Sequence, residues 1–216
     1  AFALDTIESR RLARLTVYGE FLELHPPEWE VEIHEKTSWS CAHGIDRWRK
    51  DCGCNSGGRP GWRQTWRAPL REALDWLRDA LAPAYEEKMT SLGIDAWAAR
   101  NGYIRVIMER EASAVEAFLA GQTRQVLSAE DKTLALQLLE LQRHAMLMYT
   151  SCGWFFDDIS GLETVQVIQY AGRTLQLAKR VFGNGIEDDF MQRLEKAPSN
   201  VREHLHGRRV YEKFVR

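Results

Sequence analysis

Two long stretches of this chain carry almost no charge. From Leu134 to Phe156 the only acidic or basic residues are Glu140 and Arg143, with His144 beside them; between Glu163 and Lys179 there is only Arg173. Apolar residues recur there at helical spacing: Leu134, Leu138, Leu141 and Ala145 in the first, Ile168, Ala171, Leu175, Ala178 and Phe182 in the second. A helix facing water carries polar residues over about half of its surface. These two are therefore expected to form the central pair of a helical bundle. Ser128, with Asp131 three residues on, reads as the N-cap of the first, and Gly183 to Gly185 as the stop of the second.

The rest of the chain is read around that pair. Leu4 to Leu15 predicts a helix, Leu15-Thr16-Val17 a short strand, and Tyr18 to Leu24 a helical turn closed by Pro26-Pro27. Val31 and Ile33 alternate with charges from Glu30 to Glu35, which predicts a half-buried strand. Leu70, Leu74, Leu77 and Leu81 predict a helix that Pro83 ends or kinks, and a further helix is expected from about Gly102 to Ala120. Shorter helices follow, separated by Pro198 and Gly207. The expected fold is mainly α: a helical bundle over 63–216, a loop over 37–62 and a few short strands within 1–36.

Composition excludes several classes. Lys plus Arg is 29 against 31 Asp plus Glu, which leaves no basic footprint for nucleic acid. No run of about 18 apolar residues is present, so no membrane span is expected. Asp5 to Arg14 mixes acid and base without an apolar core, so no secretory signal is expected there, and a cytoplasmic setting with reduced thiols follows. No phosphate loop, dinucleotide fingerprint, nucleophile elbow or zinc-protease motif occurs.

Chemistry concentrates in one stretch. Of 8 tryptophans, Trp29, Trp39, Trp48, Trp62, Trp66 and Trp76 fall before residue 77, together with Cys41, Cys52 and Cys54. Lys36 to Gly61 holds no period and is punctuated by glycines; a loop of that length in a compact domain is usually functional or disordered, and its Trp, Cys and His content argues against disorder. Cys41, His43, Cys52 and Cys54 are the ligand types of a tetrahedral zinc site, but one residue separates each pair where two to four are usual. Zinc and a cluster of free thiols both remain open readings. Trp39 and Trp48, in a loop without an apolar period, are candidates to line a site; Trp62 and Trp66 are weighed with them.

The connector between the central helices, Ser151 to Gly161, is aromatic and acidic. Trp154 and Asp157 are candidates there, with Glu163 nearby, while Asp158 reads as a carboxylate favouring the start of the following helix. Gln166, Gln169, Arg173 and Gln176 form a polar stripe that is either a ligand-facing row or simply the wet face. Glu111 falls on the apolar side of its helix and is expected at a boundary, paired with an arginine.

These residues also resemble a known family. Ala13 to Pro27 (ARLTVYGEFLELHPP) resembles the segment that follows the barrel of glycoside hydrolase family 57 proteins. Thr37-Ser38-Trp39-Ser40, Trp48 and the Trp66 to Leu81 helix resemble that family's post-barrel loop and first bundle helix, and Ser151 to Phe156 its later Ser-Asp-Trp-aromatic segment. Ser38 to Cys54 and Ser151 to Gln169 are similar to the α-amylase/α-mannosidase-like branch, which carries a C-terminal domain of unknown function. The resemblance implies a retaining mechanism on α-glucan-like substrates, with Glu and Asp supplied by a barrel whose acidic motif would precede Ala1. No catalytic residue is then expected in this chain. Residues 1–36 would be the end of that barrel, the barrel would be a partner, and Trp39 and Trp154 would stack on sugar within one concave surface. The family's Asp before the second Trp is Gly153 here, and Asp157 is a candidate substitute. The rival expectation is a helical module that docks a protein partner or the barrel itself.

Overall fold

The computed structural model describes residues 2–183 and 185–216. The chain divides between Lys36 and Thr37 into two compact units.

The first unit holds two short helices, α1 (Phe2–Ser9) and α2 (Tyr18–Leu24). Neither buries a residue. Thr16 Oγ1 donates to Glu20 at 2.6 Å, and Arg14 pairs with the same carboxylate. The expected strands at 15–17 and 30–35 are absent: neither segment forms a strand, and Val31 and Ile33 are exposed. Alternation predicts a face, but a strand exists only where a second one accepts its hydrogen bonds. Among the described residues the one bridge is the isolated pair Pro198 and His206.

The second unit is a helical bundle. Its helices are α3 (Arg67–Ser91), α4 (Ala96–Gly102), α5 (Ile104–Met108), α6 (Ala112–Ala120), α7 (Ala129–Leu147), α8 (Leu162–Phe182), α9 (Ile186–Leu194) and α10 (Gly207–Phe214). α7 and α8 pack together more extensively than any other helix pair, as their lack of charge predicts. Ser128 and Asp131 close a reciprocal capping box at the start of α7. Gly183, at φ 92°, ends α8 in a conformation that disfavours any other residue; Asn184, within the expected stop, lies outside the described residues.

Two cores are stacked along α3 and α7. One gathers Leu70, Leu74, Leu77 and Leu81 of α3 with the C-terminal half of α7, α8, α9 and α10. The other gathers Tyr85 and Met89 of α3 with α4, α5, α6 and the N-terminal half of α7. Pro83 does not end α3, which runs on for two further turns. Proline removes one donor and crowds one carbonyl, and the two cores hold the helix on either side of it. The single helix expected over 102–120 is broken instead: Glu109 and Glu111 are extended, and exposed Glu111 serves as the N-cap of α6 with no arginine pair. Gln166, Gln169 and Gln176 are exposed, and Arg173 donates to Gln176, so that stripe is the wet face of α8.

A candidate metal centre and its aromatic loop

Residues 37–61 contain one 3-10 turn, Asp46–Trp48, and are otherwise irregular. Side-chain bonds fix them to the bundle. The indole of Trp48 donates to the Ser151 carbonyl at 2.9 Å, and Arg71 donates to the Trp48 carbonyl at 3.3 Å. Arg67 donates to the Cys54 carbonyl at 2.8 Å. The backbone N–H of Ser56 donates to Asp157 Oδ1 at 2.8 Å, and its hydroxyl donates to the other carboxylate oxygen.

Within this frame four donor atoms converge. Cys41 Sγ lies 3.8 Å from Cys52 Sγ and 3.8 Å from Cys54 Sγ. His43 Nδ1 lies 3.5 Å from Cys54 Sγ and 3.9 Å from Cys41 Sγ. All four donors fall within 4.8 Å of one another, and no other such group occurs among the described residues. The one-residue spacing is what lets them meet. Gly53, at φ 81°, bends the chain between Cys52 and Cys54, and Asp51 accepts its N–H at 3.0 Å to hold the turn. Gly44, at φ 68°, turns the chain just after His43. Burial pushes the Cys41 thiol up, but backbone N–H groups of His43 and Arg47, with contacts from His43 and Cys52, outweigh it and bring it down to about 7. Cys52 moves the other way, raised first by burial and then by the neighbouring thiols. These four residues can hold a metal ion.

Two arginines lie under the loop. Arg67 is 0% exposed, and apart from its bonds to Cys54 and, at 3.5 Å, to the Phe156 carbonyl, its Nε has no partner. Burial lowers its pKa, while Cys52, Asp51 and Asp157 act to raise it. Arg47 is also buried with an unpaired Nε, and its guanidinium sits 5.6 Å above the Phe155 ring. Phe155 in turn meets the edges of Trp39 and Trp48, with ring centres at 6.0 and 5.9 Å.

The sequence candidates now separate. Trp39 is 91% exposed on that aromatic stack, and Trp48 is half-buried beside it. Trp154 is 1% exposed in the first core, so it offers no stacking face and does not share a concave surface with Trp39. Trp66 is likewise core, and Trp62 is half-buried under Arg59. Asp157 is buried and spent on Ser56, and a carboxylate in that role does not face a ligand. Gly153 carries no side chain for a steric reason: a Cβ there would lie 2.5 Å from Val167 Cγ2 of α8. Asp158 does not cap α8, whose N-cap is Gly161; it accepts from Ser160, Ser199 and Asn200 and ties 199–200 to the connector. Arg67, Arg47, Ser56 and Asn200 were not anticipated. Only Arg67 leaves a trace in the sequence, since it precedes Leu70, Leu74 and Leu77 in the core register of α3.

A family described as Domain of unknown function (DUF3536) matches residues 62–216. The chain belongs to the DUF3536 family. Comparison with curated proteins and with solved structures finds no significant match. The four metal donors precede the matched DUF3536 region, whereas Arg67, Arg71 and Asp157, which fasten their loop, lie inside it. Among the described residues no helix is long and apolar enough to cross a membrane.

Proposed function

We propose that residues 41–54 bind zinc and that the ion fixes an aromatic platform, Trp39 on Phe155, against the DUF3536 helices as one wall of a carbohydrate-binding cleft. In this reading the chain is a non-catalytic helical part of a family 57-like glycoside hydrolase, and the carboxylates that cleave an α-glucan-like substrate come from a barrel. The observation that carries the metal is the spacing of the donors. A tetrahedral zinc ion with ordinary bond lengths sets its thiolates about 3.8 Å apart and a thiolate and an imidazole nitrogen about 3.5 Å apart. Three of the six donor separations match these values, from Cys41 to Cys52 and Cys54 and from Cys54 to His43; Cys41 to His43 is 3.9 Å, and all lie within 4.8 Å. Three thiolates and one imidazole suit zinc better than harder cations. Four protein ligands close the site, as in structural rather than catalytic zinc. The sugar rests on Trp39 alone: its ring is open to solvent yet held edge-on by Phe155, and a fixed, exposed aromatic face suits a pyranose.

The second reading, a module that docks a protein partner or the barrel itself, is favoured by the loss of Trp154 and Asp157 to the fold, which leaves the sugar surface narrow. Two measurements decide. Elemental analysis of protein purified without chelator should find about one zinc per chain, lost in Cys52→Ser/Cys54→Ser; metal-free protein at full thiol content would end the zinc reading. Calorimetry with maltoheptaose should show binding that Trp39→Ala weakens about tenfold. Zinc without any sugar binding would leave the docking module standing.

A further inference from the structure

Away from the loop, α3, α4 and α7 line an open-mouthed cavity of about 370 Å³ whose wall includes Ala82, Trp97, Arg100, Gln142, Met146 and Tyr149. Two of its polar groups have bonding capacity to spare. Gln142 lines it while only 5% exposed; its side-chain amide makes no hydrogen bond to the described residues and is not sealed from water, so it opens onto this space. Arg100 lies 4.9 Å from the Trp97 ring centre and donates only to the neutral side-chain oxygen of Asn101, at 2.8 and 3.1 Å; it makes no ion pair. The other charges there are already matched. Arg78 is held by Asp75 and Asp79, Tyr149 donates to Asp75 at 2.7 Å, and the Trp97 indole donates to Glu86.

What remains is an apolar slot walled by Ala82, Ala145, Met146 and two aromatic side chains, with one free amide and one unmatched guanidinium. We propose that it binds a small carboxylate with a flat apolar body. The carboxylate would accept from Arg100, whose planar fork matches its geometry. The Gln142 amide would donate to a carboxylate oxygen, and the apolar body would fill the slot. A neutral isostere leaves Arg100 unmatched, and a cation meets it with repulsion. The cavity is separate from the metal loop, so this site stands or falls independently of zinc and of sugar binding.

The test uses the full 216-residue chain, labelled with ¹⁵N. Benzoate should move the Trp97 indole N–H and the Gln142 and Ala145 amide resonances saturably, benzyl alcohol should bind about tenfold more weakly, and benzylammonium and glucose should leave them unmoved. Arg100→Gln should abolish the preference for benzoate over benzyl alcohol. Gln142→Leu separates binding from structure: it should weaken benzoate about fivefold while leaving the thermal midpoint within about 2 °C, because the amide it removes is solvated through the opening and holds no other part of the fold. No saturable shift up to roughly 10 mM benzoate would overturn the proposal. So would equal binding of benzyl alcohol, or a Gln142→Leu chain that loses stability and affinity together.

Discussion

At the scale of single residues, Arg67 decides how the loop is read. A guanidinium wholly withdrawn from water costs several kcal/mol unless opposite charge lies close by, and its two carbonyl acceptors supply none. Asp157 and Asp51 contribute, but Cys52 stands ahead of both among the charges that act on it. If zinc is bound as proposed, three thiolates around it would carry a formal charge of about −1 and would answer the buried cation. Removing either side strands the other. Arg67→Met should therefore cost about 3–5 kcal/mol in zinc-loaded protein. In Cys52→Ser/Cys54→Ser the same change should cost less, giving a coupling of at least about 1 kcal/mol in a denaturation cycle. Additive costs would show that Arg67 answers to the carboxylates alone. The ligand set was legible beforehand, and its coupling to Arg67 was not. The Cys-x-His and Cys-x-Cys pairs are visible as text, but the Gly53 bend that makes the tight spacing workable is a backbone conformation, and the arginine beneath it arrives from another element.

At the scale of elements, charge poverty and capping were readable and continuity was not. α7 starts where Ser128 and Asp131 place it: Ser128 Oγ accepts from Asp131 N at 3.1 Å, and Asp131 Oδ2 accepts from Ser128 N at 3.2 Å. Both bonds satisfy donors that the helix leaves free. Since α7 contributes to both cores, fraying at its start loosens Leu138 and Leu139 as well. Ser128→Ala should therefore lower the unfolding free energy by about 1 kcal/mol in urea, with no change in slope; a shift under about 0.3 kcal/mol would mean that packing alone sets this end. The break between α5 and α6 escaped the periodic reading because Met108 and Val115, seven apart, keep the same phase whether or not the helix continues. The alternation of Val31 and Ile33 failed for the opposite reason: the pattern is present, but no strand lies alongside to pair with it.

At the scale of the whole molecule, the 37–216 unit joins parts with different sources of stability. The helices bury two continuous cores to which residues 37–61 contribute little: among the loop's apolar side chains, Trp48 packs against the first. The loop holds one short turn and hangs on a few side-chain bonds, two of them to the carbonyls of Cys54 and Trp48. Stability of this kind is local, and a segment with few buried apolar contacts opens without unfolding its neighbours. If zinc supplies what burial does not, its removal should release the loop and spare the bundle. Chelation with EDTA should then expose Arg47, Arg49 and Lys50 to trypsin and erase hydrogen-exchange protection over 41–54. The helical circular dichroism and the protection of α7 and α8 should stay within about a tenth of their starting values. Cooperative loss of all three signals would make the loop an integral part of the cores. Unchanged protection of 41–54 after verified metal loss would show that the side-chain ties to Ser151, Asp157 and Arg67 hold the loop by themselves.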